Sequence, residues 1–495
     1  MSLAGAELLP ATAGFLDRPP TMLIGGRWVG AAGGETLATL DPATGARLAL
    51  VPAGGAEDVD AAVSAARHAF EQGSWSRATP GERCRLLWRL ADLVEANAAE
   101  LAELETLDNG KPLFAARGGD IPAAAEMFRY MSGWATKLEG ATIPVGSPGS
   151  FHAYTRPEPV GVVGAIIPWN YPLVLASRKL APALAVGCTV VLKPAEETPL
   201  TALRLGELIA EAGFPDGVVN IVTGLGETAG TALAAHPDVD RVTFTGSTEV
   251  GRRIVQAASG NLKRVALELG GKSPNIVLED ADIDAAIRGA ARAIFTNAGQ
   301  VCYAGSRLYV HRRLFDRVLS GLAESAAAIR LGHGMAPDTQ MGPVVSEEQL
   351  RRVLGHMERG VAQGAQAVVG GCRRGDTGYF VEPTIYTGLD DTTHLVREEV
   401  FGPVLVAAPF DDLDEVAARA NRSRYGLAAG VWTRDVSTAH RFAARLRVGT
   451  VWINGYGASD VALPYGGVRQ SGWGREKGRE GVEVFTETKT VVVTL

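Results

Sequence analysis

The alternation of apolar runs and helical segments between residues 160 and 268 constrains the fold of this chain more than any other sequence feature. The apolar runs predict strands at 160–167, 188–192, 218–222, 241–245 and 264–268. Helices are predicted between them, at about 173–186, 200–212, 227–235 and 248–258. Continuous apolar strands separated by helices are typical of a doubly wound parallel sheet that binds nucleotides at the carboxyl ends of its strands. We therefore predict an α/β fold with a Rossmann-type sheet.

The segments on either side of this region predict further elements. Residues 22–52 alternate short apolar runs with turn residues, which predicts small strands near the surface. Residues 57–134 follow a helical period and predict mainly helical packing. A second α/β region is predicted after Pro274, with strands at 275–278 and 306–311 and helices at about 282–297 and 313–330. The final ETKTVVVTL predicts a strand that pairs with an edge of the same chain or of a neighbouring subunit.

Composition and charge narrow the class of partner. A length of 495 residues suggests roughly three domains, and a net charge of −7 lacks the basic surface that binds nucleic acid, so a small molecule is the expected partner. Residues 159–176 carry no charge, but three prolines interrupt them, which favours a buried strand and a loop over a membrane span. Residues 1–18 show no secretory signal and predict a flexible or loosely packed lead-in.

The four cysteines are Cys84, Cys188, Cys302 and Cys372, and they are far apart with no CxxC pair. This spacing predicts neither a disulfide framework nor a metal site, and it favours a reducing cytoplasm. Cys302 follows Ala298-Gly299-Gln300, where glycine permits a turn and a close approach of backbone, so its thiol looks displayed for chemistry. A buried apolar cysteine is the alternative.

Two other stretches could carry chemistry. Gly246-Ser247 lies between a predicted strand and a predicted helix, where backbone amides and a hydroxyl suit a phosphate, although Ser247 is equally consistent with a helix N-cap. The glycine-rich residues 224–230 fit the dinucleotide fingerprint poorly. Glu268 ends an apolar strand, where a carboxylate is either a general base with a raised pKa or the partner of Lys263, Arg264 or Lys272.

Seven motifs identify a family. From about residue 20 to its end, the chain resembles the NAD(P)-dependent aldehyde dehydrogenases, and most of all the phenylacetaldehyde dehydrogenases. The motifs are IIPWNYP (166–172), LKPAEETP (192–199), FTGST (244–248), LELGGKSP (267–274), GQVC (299–302), EEVFGPV (398–404) and PYGGVRQSGWGRE (464–476). The resemblance implies NAD-dependent oxidation of an aldehyde to a carboxylic acid through a thioester.

The resemblance implies roles for four residues in the chemistry. Cys302 would add to the aldehyde carbon as the nucleophile. Asn170, together with the Cys302 amide, would donate to the developing oxyanion, and Glu268 would activate the water that hydrolyses the thioester. Glu476 would relay protons, and a solvated surface glutamate is the alternative for this residue.

The resemblance also implies a cofactor site and a substrate tunnel. The implied cofactor contacts are Ile167, Pro168, Trp169, Lys193, Glu196, Gly226, Gly246, Ser247, Leu269, Glu399 and Phe401. Glu196 favours NAD over NADP, because an acidic residue suits a free 2′-hydroxyl, whereas Lys193 would tolerate a 2′-phosphate. The implied tunnel residues are Tyr171, Leu175, Arg178, Thr296, Val301, Tyr303, Ser459 and Tyr465. Their aromatic character favours an aryl or hydrophobic aldehyde such as phenylacetaldehyde, whereas Arg178 favours a carboxylated semialdehyde of the succinic type unless it pairs with a nearby acid.

The family's architecture implies a division of the chain. Residues 1–141 and 161–271 would form the NAD-binding domain, 272–471 the catalytic domain, and 142–160 with 472–495 a small β oligomerisation flap of a homodimer or homotetramer. A non-catalytic structural protein with this fold is a hypothesis of a different class. The presence of Cys302, Glu268 and Asn170 together argues against it.

Overall fold

A computed structural model describes residues 2–3 and 6–495. Its largest sheet has eight strands, and the five at its centre are parallel, as the apolar runs predict. From one edge to the other the strands are Gly472–Trp473, Arg264–Glu268, Arg241–Thr245, Val162–Ile166, Thr189–Lys193, Val219–Ile221, Met22–Ile24 and Arg27–Val29. The strand order reverses between Val162–Ile166 and Arg241–Thr245, which is where a doubly wound sheet opens a crevice for a ligand.

Helices cover both faces of this sheet and confirm the predicted β-α alternation. Apolar residues on one face pack with the front helices around Leu87 and Leu90, and those on the other pack around Val59 and Val63. The helices of this half are Pro10–Asp17, Ala56–Glu71, Pro80–Ala96, Ala98–Asn109, Leu113–Ala115, Ile121–Ser132, Pro172–Val186, Leu200–Ala212, Thr231–Ala235 and Thr248–Ala257.

Two predictions for the start of the chain were wrong. Residues Pro10–Asp17 form a helix rather than a loose lead-in, because Phe15 and Leu16 are buried in the core. Strand Met22–Ile24 is fully buried rather than near the surface, since it extends the large sheet as an antiparallel strand beside Val219–Ile221. The part of the lead-in prediction that concerns residues 1, 4 and 5 lies outside the described residues.

The second α/β region forms a seven-stranded sheet that is parallel except at one edge. Its strands, in spatial order, are Gln366–Val369, Thr384–Thr387, Val404–Phe410, Arg307–His311, Pro274–Val277, Ala428–Trp432 and Thr450–Ile453. Its helices are Ile283–Phe295, Phe315–Ala327, Glu347–Ala362, His394–Arg397, Leu413–Asn421 and Val436–Ala443, and Glu480–Glu483 lies beyond the sheet in sequence. This arrangement confirms the elements predicted after Pro274.

The C-terminal strand Thr486–Thr494 pairs antiparallel with Phe151–Pro159 along its whole length, and Thr142–Ile143 adds a third strand. The end of the chain therefore pairs within the chain, and it joins the two segments predicted to form the oligomerisation flap. The domain division itself stays a prediction. Two short hairpins, Ser2–Leu3 with Ala6–Glu7 and Thr36–Leu40 with Arg47–Pro52, complete the strands. Across the described ranges, no helix is long and apolar enough to cross a membrane.

Candidate active site

A left-handed turn precedes Cys302, which lies shortly before the central strand Arg307–His311 of the second sheet. Helix Ile283–Phe295 ends before it, and Asn297, Ala298 and Gly299 then take φ values of 50°, 53° and 73°. Such a conformation costs about 1–3 kcal/mol for each residue other than glycine. Glycine is required at 299, because a Cβ there would lie 2.0 Å from the carbonyl oxygen of Gly402. The glycine turn predicted before the cysteine is therefore present and tightly packed.

The sulfur of Cys302 lies 3.1 Å from the phenolic oxygen of Tyr465. Burial raises the pKa of the Cys302 thiol to about 12, and the hydrogen bond with Tyr465 and the charge of Arg178 oppose that rise. The thiolate is the reactive form of cysteine, so a nucleophilic Cys302 needs a base close by. Glu268 lies near enough to influence the pKa of this thiol.

Asn170 stands in the loop of residues 167–171 that follows strand Val162–Ile166, beside the strand-order reversal. Its side-chain amide donates a hydrogen bond to the carbonyl of Gln300, at 3.0 Å, which ties it to the Cys302 segment. An amide NH₂ carries two hydrogens, so one donor is left for a further acceptor. Among the described residues, the Oδ1 atom of Asn170 is buried with no hydrogen-bond partner.

Glu268 is 5% exposed at the end of strand Arg264–Glu268. Within the described part of the chain, neither of its carboxylate oxygens has a hydrogen-bond partner. Burial and the nearby Glu476 raise the pKa of Glu268 well above its usual range, against the cations of Lys179, Arg475 and Arg178. A carboxyl group in such surroundings can accept a proton near neutral pH.

In the described residues, none of the three cations proposed as partners of Glu268 pairs with it, so the ion-pair alternative was wrong. Lys263 donates to the carbonyls of Ala234 and His236, and Arg264 pairs with Glu487 at 2.9 Å. The ammonium of Lys272 is buried without a hydrogen-bond partner in the described residues.

Glu476 is buried at 8% exposure, so it is not a solvated surface residue. Lys179 donates a hydrogen bond to its carboxylate, and Arg178 lies 3.8 Å away. Burial alone would raise the pKa of Glu476, but these two cations outweigh burial and hold it below its usual value. A cavity of about 10 Å³ borders both Glu268 and Glu476 and has room for roughly one water molecule.

Lys179 was not predicted as a site residue. It lies in the apolar helix Pro172–Val186 and is 1% exposed. A lysine in so apolar a helix was the signal that could have identified it, because buried lysines need a partner.

The residues predicted to hold a dinucleotide meet along the carboxyl edge of the large sheet. At one end, the carboxylate of Glu196 accepts hydrogen bonds from the Lys193 ammonium, at 2.7 Å, and from the Gly226 amide, at 3.3 Å. Lys193 ends its strand, so this group lies where ribose hydroxyls bind in folds of this kind.

The predicted phosphate position differs in detail from expectation. Ser247 caps helix Thr248–Ala257 by accepting a hydrogen bond from the Val250 amide, and the Gly246 amide donates to the Glu268 carbonyl at 3.1 Å. The Gly246 amide is therefore already used between two parallel strands, and the prediction that Gly246 meets the pyrophosphate stays a prediction. The Ser247 hydroxyl hydrogen is left to donate to a phosphate.

At the other end, Glu399 accepts a hydrogen bond from the Gly271 amide at 3.0 Å. Burial raises the pKa of Glu399 to about 7, and the Gly271 hydrogen bond opposes that rise. A Cβ on Gly270 would lie 1.9 Å from the Glu399 carboxylate, and one on Gly271 would lie 2.6 Å from the Cys302 carbonyl. These glycines form a cradle that places the Glu399 end of the crevice beside the nucleophile.

Two aromatic rings and an apolar side chain complete this end of the crevice. The rings of Trp169 and Phe401 meet edge to face, with centroids 5.3 Å apart, and Phe401 takes a left-handed φ of 56°. Leu269 is buried, and its amide donates to the Ser471 carbonyl at 3.0 Å. Ile167 and Pro168 stand in the same loop as Trp169. Glu196 and Glu399 therefore place a carboxylate at each end of the predicted cofactor contacts, where each could accept a hydrogen bond from a ribose hydroxyl, and these contacts stay a prediction.

Seven of the eight predicted tunnel residues divide into two groups, and the eighth, Tyr171, packs against both large cores. Tyr303 and Tyr465 pack at 6.2 Å between ring centroids, the Arg178 guanidinium lies 5.7 Å from the Tyr465 ring, and Ser459 accepts a hydrogen bond from Lys477 at 2.7 Å. Tyr303 and Arg178 thus contact Tyr465, the partner of the Cys302 sulfur, and Ser459 reaches it only through Lys477, whose ammonium lies 5.4 Å from the Tyr465 ring. Three others do not join them by any described contact: Leu175 and Val301 pack into separate cores, and the Thr296 hydroxyl donates to the Arg292 carbonyl.

Comparisons with known proteins agree with this geometry. The profile of the aldehyde dehydrogenase family matches residues 28–491. The chain is 51% identical over 501 residues to phenylacetaldehyde dehydrogenase of Pseudomonas fluorescens, covering 99% of both chains. It is 48% identical over 474 residues to human mitochondrial aldehyde dehydrogenase, covering 95% of this chain and 91% of the human one. The NAD⁺ complex structure of an aldehyde dehydrogenase from Bacillus cereus superposes with a TM-score of 0.97 at 51% identity, covering 99% of each chain. The chain described here therefore belongs to the aldehyde dehydrogenase family and is an aldehyde dehydrogenase.

Proposed function

We propose that this enzyme oxidises an aryl or other hydrophobic aldehyde, such as phenylacetaldehyde, to the carboxylic acid with NAD. The observation that supports this most directly is the convergence of Cys302, Asn170 and Glu268, in which Asn170 bonds the segment of Cys302 and Glu268 influences its thiol. Asn170 and Glu268 come from the carboxyl ends of two strands of the large sheet, and Cys302 comes from the second sheet region.

In the first step, Glu268 takes the proton of the Cys302 thiol and passes it on, and the resulting thiolate attacks the aldehyde carbon so that the carbonyl oxygen becomes an oxyanion. The second amide hydrogen of Asn170 donates to that oxygen, and a preorganised donor of this kind contributes about 10²–10³-fold in kcat. The Tyr465 hydroxyl, 3.1 Å from the sulfur, stabilises the thiolate before attack.

The cofactor would lie between Glu196 and Glu399, with Ser247 at a phosphate and the rings of Trp169 and Phe401 beside its reactive end. When bound there, NAD supplies the acceptor for the hydride that leaves the thiohemiacetal carbon. Loss of hydride converts the Cys302 adduct to a thioester.

Glu268 then takes a proton from the water that attacks the thioester, and the carboxylic acid is released with the Cys302 thiolate as the leaving group. Its raised pKa suits a base that must also release this proton again. Glu476 and Lys179 lie across the small cavity, so a water held there would pass the proton from Glu268 towards Glu476.

The substrate proposal rests on the aromatic wall and on similarity. Tyr303 and Tyr465 present rings around the nucleophile, Trp452 packs at 5.4 Å from Tyr303, and the relative from Pseudomonas fluorescens is named for phenylacetaldehyde. Arg178 favours a second candidate, a carboxylated semialdehyde, because the Nε atom of this buried arginine has no hydrogen-bond partner in the described structure. Its guanidinium faces Glu476, however, and this supports the first candidate.

The proposal extends to cofactor choice and setting. Glu196 favours NAD over NADP because a carboxylate would repel a 2′-phosphate, and a cytoplasmic homodimer or homotetramer stays our expectation.

The test is kcat/KM for phenylacetaldehyde, succinic semialdehyde and a long aliphatic aldehyde, with NAD and with NADP. We expect phenylacetaldehyde with NAD to be the best pair. A higher kcat/KM for succinic semialdehyde would favour the second candidate. Failure to reduce NAD with any aldehyde would favour a structural protein.

A further inference from the structure

Lys111 lies directly beneath the loop that carries Asn170. It follows helix Ala98–Asn109 and Gly110, and it is 3% exposed. Its ammonium donates to the Glu105 carboxylate at 3.0 Å, to the Asp120 carboxylate, and to the backbone carbonyl of Asn170 at 3.1 Å. A lysine has three N–H donors, so every one of them is used.

The ammonium also touches the next residue of the loop. It stands 4.2 Å from the centroid of the Tyr171 ring, which is within the range of a cation–π interaction. Lys111 thus contacts two consecutive residues of the loop, and Asn170 is held at its carbonyl by Lys111 and by the Asn297 amide at 3.0 Å. Asn297 belongs to the turn that carries the nucleophile, so this carbonyl joins three segments of the site.

We propose that Lys111 is a positioning residue, which holds the backbone of Asn170 so that the side-chain amide of Asn170 faces the developing oxyanion. This inference rests on the role of Asn170 in the proposed function. The carbonyl contact fixes the peptide plane at one end of Asn170, and Gln300 fixes the amide at the other. The hydrogen bonds to Glu105 and Asp120 use only two of the three donors of Lys111, and the third donor is the one that reaches Asn170.

The alternative is a merely structural lysine that balances Glu105 and Asp120. Both roles predict some loss of activity when Lys111 is replaced, but only a positioning role makes that loss depend on Asn170. A double-mutant cycle separates the two, because residues that act through one another give non-additive effects.

The experiment measures kcat for phenylacetaldehyde with saturating NAD in the full-length enzyme and in Lys111→Met, Asn170→Ala and the double variant. We expect Asn170→Ala to lower kcat about 10²–10³-fold, as for loss of an oxyanion donor. Lys111→Met should lower it about tenfold or more, and the double variant should match Asn170→Ala within about twofold. The KM for NAD should stay within about twofold in all three.

If the loss of kcat in the double variant equals the product of the two single losses, the positioning role of Lys111 is overturned, and the role of Asn170 stands. A wild-type kcat in Asn170→Ala would instead overturn the role of Asn170 in the proposed function, and this inference with it. If Lys111→Met folds poorly, the cycle is run in an Asp120→Asn background, which removes the excess buried charge.

Lys263→Met is the matched control. Lys263 is also a buried lysine that donates to backbone carbonyls, those of Ala234 and His236, and its described hydrogen bonds reach no residue proposed for the chemistry. We expect its kcat to stay within about twofold of the wild-type value. Lys111→Arg, which keeps the charge and a donor, should recover part of the loss of Lys111→Met.

Discussion

The sulfur of Cys302 and the phenolic oxygen of Tyr465 lie 3.1 Å apart, within hydrogen-bond distance. Tyr465 was predicted to line the substrate tunnel, and the structure gives it direct contact with the proposed nucleophile as well. The two residues are 163 positions apart, and the backbone of Tyr465 is paired with that of Glu476. The thiol environment and the proposed proton relay therefore share one short segment.

Tyr465→Phe should raise the pKa of the Cys302 thiol further, because the hydrogen bond with Tyr465 now lowers it. Only the thiolate reacts with iodoacetamide, so alkylation at a fixed pH below that pKa should slow and its pH profile should move to higher pH. A hydrogen bond to a charged group contributes about 1.5–3 kcal/mol, which corresponds to a shift of about 1–2 pH units. An unchanged alkylation profile would show that Tyr465 does not tune the thiol.

Glu476→Gln should move the acid limb of thioester hydrolysis to lower pH. The charge of Glu476 helps to raise the pKa of Glu268, so a neutral amide should let that pKa fall. Glu268 works as a base only when ionised, and a lower pKa keeps it ionised at lower pH. The measurement is the pH dependence of deacylation in stopped-flow experiments.

The exposed Glu480→Gln, four residues further along, is the control and should leave the limb in place. If the acid limb stays in place in Glu476→Gln, or moves to higher pH, then the charge of Glu476 does not raise the pKa of Glu268.

Glu196→Gln should raise the ratio of kcat/KM for NADP to that for NAD by about tenfold or more. The substitution removes the carboxylate that would repel a 2′-phosphate, and it leaves Lys193 without its ionic partner at 2.7 Å, free to face the phosphate. Glu227→Gln, in the exposed segment beside Gly226, serves as the control. A ratio equal to that of the wild-type enzyme would place the cofactor choice elsewhere.

Arg178→Met should change the ratio of kcat/KM for phenylacetaldehyde to that for succinic semialdehyde by less than about threefold. Arg178 faces Glu476 and the Tyr465 ring, so its loss should affect both aldehydes through the same neighbours. The ratio of the two kcat/KM values cancels any effect that the substitution has on Cys302, because that effect is the same for both aldehydes. A selective loss of the semialdehyde of about 100-fold would instead show that the guanidinium binds a carboxylate.

The sheets of this protein were readable from the sequence because buried parallel strands are continuous apolar runs. Strands Val162–Ile166 and Arg241–Thr245 are buried along their whole length, as their apolar runs predict. Helix Pro10–Asp17 carried no such pattern. It depends on tertiary contacts, among them the hydrogen bond from the Thr12 hydroxyl to Glu103 at 2.5 Å.

The site was readable only in part, for a related physical reason. Motifs identified Cys302, Glu268 and Asn170 because each carries chemistry within a short stretch of sequence. The apolar helix around Lys179 marks that lysine as unusual, but its partner Glu476 is 297 positions away, and Lys111 reaches Asn170 across 59, so the sequence does not show which residues are paired. Such partners become visible only when buried charges are matched in three dimensions.

The central claim is that Cys302 forms a covalent thioester whose hydrolysis requires Glu268. The direct test is intact-protein mass spectrometry of Glu268→Gln after mixing with phenylacetaldehyde and NAD, with the double variant Cys302→Ala/Glu268→Gln as the control. We predict that Glu268→Gln gains the mass of one phenylacetyl group, located on Cys302 by peptide mapping, and that the double variant gains none while still binding NAD. An adduct on another residue, or wild-type turnover by Cys302→Ala, would contradict the account.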